Sequence, residues 1–397
     1  MSATHQTTSK PRKTLGSLLH LKQQDRIGWI GLGQMGYYMA RNLQGHLSSR
    51  SLTMNVWNRS PAKSAKMHNH GARESKTLED LVANSNIIFT SLANDAAVEE
   101  IYEILIDLAG QVDHSIIFVE TSTIYPALAT KLKERIAVMP QHTYLQCPVF
   151  GRPSVAKAAK LIWVTSGDEK AIKKLCLYFT TMSKSIIHLK TTDVARACSF
   201  KLIGNFFVVG TMELLAEGLT LAEKADVDQE HVLKFIEAFF PTPSWTEYSK
   251  KMIQGKGPSS SSSKDKSSSK GKYKEPGFSV ELGLKDVGHM RQLALDTGAS
   301  LPTADLAYNH LMAVKEQGKG DQDWSTMIGS LRIATPPSSA RPSSEISAGL
   351  YNNSDNNNNS SNKTEDGLES RRVSEDVDSE TDTRSEKTAR PPAYESN

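Results

Sequence analysis

The sequence predicts an α/β protein in which a doubly wound, mostly parallel sheet is followed by an all-α region. Three observations carry that expectation. Short β-rich runs alternate with helical patterns from residue 26 to about residue 190, as βαβ units do. After 190 the strand signal stops and only helical periodicity remains. Between the two regimes lies Thr192–Lys224, an apolar-faced stretch too long, at about 1.5 Å per residue, to be a crossover helix. It is expected to join the two regions.

Taken in order, residues 1–24 carry Lys10, Arg12, Lys13 and Lys22, no acid, and the apolar patch Leu15, Leu18 and Leu19. This reads as a basic tail, with a mitochondrial presequence as the alternative. Strands are expected at Arg26–Ile30, Thr53–Trp57, Asn86–Ser91, Ser115–Glu120, Tyr144–Cys147, Leu161–Ser166 and Lys184–Leu189, with helices such as Tyr37–Leu43, Ala96–Leu108 and Pro126–Met139 between them. Beyond the long helix, helical patterns cover Gln229–Phe240, Val280–Thr297, Pro302–Gln317 and Trp324–Leu331. The expected division is a nucleotide-binding domain over 25–190 and an all-α domain over 191–332. Residues 255–275, rich in Ser and Lys, and the tail 333–397 cannot bury enough apolar surface to offset their ordering entropy; both are expected to be disordered, as is 1–24.

The 397 residues are 38% hydrophobic with a formal net charge of +3. That charge is uneven: 255–274 holds six Lys and one Asp, and 335–397 holds seven Lys and Arg against twelve Asp and Glu. The rest is only mildly basic, so no nucleic-acid partner is expected. No run approaches the ~18 apolar residues of a membrane span, so a soluble protein without a membrane partner is expected. Cys147, Cys176 and Cys198 are an odd number without metal-ligand spacing; they predict no metal site, no disulfide framework and a reducing compartment. The cytoplasm is expected, with the mitochondrion as alternative.

The first strand and helix are joined by Gly31-Leu32-Gly33-Gln34-Met35-Gly36, which makes the sheet Rossmann-like. Gly31 allows the tight turn, Gly33 lets a pyrophosphate approach the backbone, and Gly36 lets helix and strand pack closely. The helix N-terminus offers free N–H groups to an anion. An NAD enzyme places an acid at the end of the second strand to hold the ribose hydroxyls; here stand Asn58, Arg59 and Ser60. Arg59 and Ser60 suit a 2′-phosphate, so NADP(H) is expected over NAD. The interval from loop to strand end exceeds about 20 residues, and a surface insertion around Gly45–Ser51 is expected to account for it. Leu92 and Ala93, after the Asn86–Ser91 strand, complete the expected cofactor contacts.

Four ordered motifs together resemble the β-hydroxyacid dehydrogenase family, which includes 3-hydroxyisobutyrate dehydrogenases and relatives of the 6-phosphogluconate dehydrogenase NADP-binding domain. They are Gly31–Gly36 with Met39-Ala40-Arg41-Asn42-Leu43, Glu120-Thr121-Ser122-Thr123, Lys201 with Asn205, and Lys285-Asp286. The resemblance runs from about 26 to 332. It implies Lys201 as catalytic acid/base, protonating the alkoxide that hydride transfer leaves. It further implies Ser122, Thr123, Gly151 and Asn205 as contacts to a small hydroxyacid or semialdehyde substrate, Lys285 as a group closing over cofactor and substrate, and a homodimer. Asn205 lies one turn from Lys201 and shares its face. Ser122 and Thr123 also fit a cap for the helix near Pro126, and Lys285-Asp286 an ordinary charged first turn.

The chain departs from the family pattern in three places. The substrate loop reads Pro148-Val149-Phe150-Gly151-Arg152-Pro153, with Phe150 and Arg152 where small residues are usual. Arg152 is expected to narrow the pocket and add a carboxylate-binding fork. The glycines usual before the lysine are Ala195 and Ala197. Gly204 stands where decarboxylating relatives carry a histidine, which disfavours decarboxylation. Retention of Lys201 separates the chain from imine reductases and from relatives that have lost the lysine. In the tail, Pro391-Pro392-Ala393-Tyr394 has the PPxY form read by WW domains, and Arg371-Arg372-Val373-Ser374 a basic-directed phosphorylation site. They frame the alternative, an inactive dinucleotide-binding scaffold acting through its tail.

Overall fold

Each β-rich run of the sequence forms a strand, and they pair in the order a doubly wound sheet requires. The computed structural model describes residues 24–255 and 277–333. The N-terminal tail, the Ser/Lys insert, the C-terminal segment, the Pro391–Tyr394 motif and Ser374 all lie outside the described residues.

The first half contains β1 (Ile27–Ile30), α1 (Gln34–Ser48), β2 (Asn55–Trp57), α2 (Pro61–His68), β3 (Arg73–Glu74), α3 (Leu78–Ala83), β4 (Ile87–Thr90), α4 (Asp95–Ala109), β5 (Ile117–Glu120), α5 (Pro126–Ala137) and β6 (Thr143–Gln146). There follow β7 (Val149–Phe150), α6 (Pro153–Lys157), β8 (Leu161–Gly167), α7 (Glu169–Thr180) and β9 (Ser183–His188). The sheet runs β3-β2-β1-β4-β5-β6-β8-β7, with β9 also on β8. The first six strands are parallel; β8 reverses against β6 and β7 and then pairs parallel with β9. Strand order changes direction at β1/β4, so the carboxyl ends of these two strands open the crevice where such sheets bind ligands. Both faces of the sheet are covered. Trp29, Phe89, Trp163 and Phe179 fill one side, and Tyr102, Phe118 and Tyr144 the other.

Two details differ from expectation. The two-residue strands β3 and β7 are too short to leave a periodic signal. The Gly45–Ser51 segment is not an inserted loop: α1 runs on to Ser48, and the extra length is helical.

The second half contains α8 (Ala195–Lys224), α9 (Gln229–Phe239), α10 (Pro243–Gln254), α11 (Val280–Thr297), α12 (Pro302–Glu316), a 3-10 turn at Trp324–Met327 and α13 (Ile328–Ile333). Pro243 opens α10, whose few apolar residues give too weak a signal to mark it in the sequence. Leu202, Val209, Met212, Leu215 and Leu219 of α8 form its core with Val287, Met290, Leu311 and Trp324. By length and composition α8 could cross a membrane, which corrects the expectation that no run approaches that limit. Its apolarity belongs to a core helix, because the inward face also carries the buried Lys201, Asn205 and Glu213.

Glu213 shows how that core tolerates charge. Its carboxylate is 2% exposed and accepts a 2.6 Å hydrogen bond from His310 Nδ1 on α12. The bond holds the His310 ring above the ordinary histidine range. The pair therefore stabilises the fold fully below about pH 6.5, and the contribution fades as pH rises through the raised folded value. We expect His310→Gln to cost about 1–2 kcal/mol at pH 6. The gap to the parent protein should narrow by pH 9 in urea titrations; a gap that widened with pH would contradict this assignment.

Candidate active site

The Gly31–Gly36 loop lies between β1 and α1, at the crevice. Gly31 has φ +91°, and a Cβ there would overlap the Ser91 carbonyl. A Cβ at Gly36 would overlap the Gly31 carbonyl, so only glycine allows helix and turn to meet this closely. Gly33 differs: nothing lies within 4 Å of where its Cβ would sit. It is exposed, it caps α1 without a side-chain bond, and the first turn holds no acid. An open approach to free N–H groups at a positive helix end fits a pyrophosphate. Gln34 and Met35 form the half-buried edge of this opening, and Leu32 lies buried beneath it.

At the end of β2, Asn58 has a different task from that expected. Its Oδ1 accepts from Leu32 N at 2.8 Å and its Nδ2 donates to Ser60 O at 3.1 Å. The amide is spent bracing the phosphate loop. Arg59 and Ser60 are exposed, and the Ser60 hydroxyl does not cap α2. Leu92 and Ala93 follow β4, half-buried and exposed respectively.

The loop after β5 is organised from below by Glu120, which sequence reasoning treated only as part of a motif. Its carboxylate is fully buried, accepts from Ser122 N at 2.6 Å and Thr90 Oγ1 at 2.7 Å, and is pushed up to about 7 by desolvation. Ser122 is engaged throughout: its hydroxyl accepts from Leu92 N at 2.7 Å and its carbonyl from Gln146 Nε2 at 3.2 Å. It ties the β4 exit to the β5 exit, and Thr123 is left as the half-buried hydroxyl of the pair.

Lys201 sits in the second turn of α8, 8% exposed. Its Nζ donates to Asn205 Oδ1 at 2.9 Å, and Asn205 Nδ2 donates to Asp286 Oδ2 at 2.6 Å. Asp286 is 1% exposed. Its other oxygen is 3.0 Å from Lys285 Nζ, a charge contact without hydrogen-bond alignment. Lys285 Nζ donates instead to Thr123 O at 2.6 Å. A continuous chain thus runs from Lys201 on α8 through α11 to the loop after β5. Asp286 was not read as a site residue, and the dipole reading of Lys285-Asp286 does not hold. Both lie in the second turn of α11, where Glu281 is the first-turn acid. The legible signal was an acid beside Lys285 on the inward face of an amphipathic helix.

Burial drives the Lys201 ammonium down to about 8; Asp286 opposes that shift and Lys285 reinforces it. An amine titrating near neutrality, held by one hydrogen bond, suits proton donation and uptake.

Gly151, with φ +142°, turns the chain between Phe150 and Arg152. Arg152 does not present a free fork: Nη1 bonds Glu247 Oε2 at 2.5 Å and the guanidinium stacks 4.1 Å from the Tyr248 ring centroid. It fastens the loop to α10.

Two family models match: the NAD-binding domain of 6-phosphogluconate dehydrogenase over residues 26–191, and the NAD-binding region of NADP-dependent 3-hydroxyisobutyrate dehydrogenase over 196–331. The chain belongs to the β-hydroxyacid dehydrogenase family. It is an oxidoreductase of that family's NAD(P)-binding type, acting on CH–OH groups. The oxidoreductase YfjR of Bacillus subtilis is 28% identical over 304 residues, spanning 76% of this chain and 98% of that protein. The NADH-dependent oxidoreductase ucdB of Aspergillus ustus is 26% identical over 302 residues, 75% and 96% of the two chains. In fold, the chain is similar to a Mycobacterium tuberculosis 3-hydroxyisobutyrate dehydrogenase solved with L-serine, with a TM-score of 0.62, 22% identity, and 78% and 99% coverage.

The Asp286 carboxylate favours the protonated form of Lys201, so Asp286→Asn should lower the Lys201 proton affinity by about one unit. The pH dependence of acylation at Lys201, followed by peptide mass spectrometry, reads this directly. An unchanged or raised value would show that Asp286 does not act on the amine.

Proposed function

We propose that this protein is an NADP(H)-dependent reductase and dehydrogenase of small hydroxyacids, semialdehydes or related carbonyls, with Lys201 as its proton donor and acceptor. The observation that carries the reading is the buried Lys201 amine, bonded to Asn205 and titrating near neutrality. The bound nicotinamide supplies or accepts the hydride. Gly31–Gly36 and the N-terminus of α1 would hold the pyrophosphate. Arg59 and the Ser60 hydroxyl would hold a 2′-phosphate. Their support is exposure at the end of β2 and the absence of an acid at positions 58–60.

In the reductive direction Lys201 Nζ gives a proton to the substrate oxygen as negative charge develops on it. In oxidation the neutral amine takes that proton away. Asn205 fixes the amine through its Oδ1, so the proton-bearing direction is set by the helix rather than by a mobile side chain. Thr123 and the backbone at Gly151 would face the substrate, with Ser122 holding the loop that carries Thr123. A carboxylate on the substrate suits the hydroxyl and N–H donors of that loop.

We further propose a homodimer built on α8. Ile203, Phe207, Leu214 and Leu221, 52–70% exposed, are spaced so as to line one outward face of that helix. An apolar stripe of this length favours a second copy over solvent. We further infer a reducing compartment such as the cytoplasm, from an odd number of cysteines without metal-ligand spacing.

Purified protein should oxidise NADPH with one or more small aldehydes or keto acids, and prefer it to NADH. Arg59→Ala should erase most of that preference, and Lys201→Ala should lower kcat by at least ~100-fold while leaving NADPH binding intact. Turnover surviving in the Lys201 variant would defeat the mechanism. Light scattering should give a dimeric mass that Phe207→Asp reduces to a monomer; a parent protein already monomeric would rule the dimer out.

A further inference from the structure

Phe150 is half-buried on β7, where family resemblance leads one to expect a small side chain. Its ring centroid lies 4.1 Å from Lys201 Nζ, so the amine rests on the aromatic face. Phe200 packs edge-on against the same ring at 6.2 Å. The ring has room only because residue 204 is glycine: a Cβ there would overlap its Cε1 and Cζ atoms. Two unusual residues far apart in sequence are thus one steric unit. The space that a side chain at 204 would fill is filled by Phe150.

We propose that Phe150, matched to Gly204, is a positioning residue for Lys201 and a specificity-determining wall beside it. The proposal rests on the reading of Lys201 as the acid/base. The wall offers no hydrogen-bond donor or acceptor. A carbonyl substrate whose substituent on this side is flat or apolar is accommodated there, whereas a hydroxyl or phosphate would be stripped of water without a partner. Phe150 acts on the amine in two opposing ways. It shields Nζ from water, which disfavours the ammonium, and presents a negative ring face, which favours it. The other charged groups that act on the amine are Asp286 and Lys285 from α11.

Three substitutions separate these effects. Phe150→Ala removes shield and ring face together, and water then reaches the amine. Phe150→Leu keeps an apolar shield without the ring face. Gly204→Ala displaces the ring without altering it. Acylation of Lys201 by acetic anhydride across pH, in the full chain without cofactor and read by mass spectrometry, gives the amine's proton affinity whether or not turnover is known. We expect Phe150→Ala and Gly204→Ala to raise it by about one unit or more. Phe150→Leu should leave it at or below the parent value. Superimposable profiles for the parent, Phe150→Ala and Phe150→Leu proteins would overturn the positioning role. Circular dichroism excludes unfolding as the cause of a shift, and the leucine variant carries the comparison if the alanine variant does not fold.

For specificity, kcat/KM for aldehydes with an apolar α-substituent is compared with that for α-hydroxylated ones. The ratio should fall by about 10-fold in Phe150→Ala; an unchanged ratio would overturn the wall. Loss of all activity in Lys201→Ala with superimposable labelling profiles in the Phe150 series would overturn the positioning role and leave the acid/base reading standing. Turnover independent of Lys201 would remove the acid/base reading alone.

Discussion

One buried charge organises this molecule: the ammonium of Lys201, enclosed on a core helix and answered by Asp286 through the amide of Asn205. Moving a lysine amine out of water is unfavourable unless something returns part of its solvation. Here one hydrogen bond, an aromatic face and a second-layer carboxylate do so incompletely, which is why the amine settles near neutrality. Incomplete compensation is the useful condition. Direct contact with Asp286 would hold the proton more tightly, and burial without Asp286 would lower the amine's proton affinity further.

The same chain of contacts joins the two halves of the structure. Lys285 carries it from Asp286 to the carbonyl of Thr123, so the helical half grips the loop that leaves β5. Further along α11, His289 Nε2 meets Asp95 Oδ1 at 2.8 Å, and Asp296 accepts from the Tyr125 hydroxyl. These contacts lie one to two turns apart on a single helix face. The helix that carries Asp286 to Asn205 is thus the same one that holds the loops after β4 and β5.

Much of this was legible in the sequence, for physical reasons that differ by element. The long strands and helices announce themselves because their burial imposes a period of 2 or about 3.6 residues. The phosphate loop is legible because only glycine satisfies the backbone at Gly31 and Gly36. Lys201 and Asn205 are legible through the family resemblance, and the one helical turn between them puts them on one face. What stayed hidden lies between distant segments. That Asn58 braces Leu32, that Ser122 is committed to Leu92, and that Arg152 turns to Glu247 are contacts no local spacing records. Asp286 was misread for the same reason: an acid near a helix start has a local explanation, and only the packing of α11 on α8 reveals the better one.

Phe150 and Gly204 show how such a hidden contact changes a functional reading. Taken singly, a bulky residue in a substrate loop suggests a damaged pocket, and a glycine after the lysine suggests only the loss of a side chain found elsewhere. Together they conserve volume, since the ring lies where the missing side chain would have been. A core tolerates exchange of bulk between facing positions far better than an uncompensated gain or loss. The pair is therefore a coherent rebuilding of the wall beside Lys201. It sets an aromatic face beside the amine, whose bonded amide leads on to the buried carboxylate.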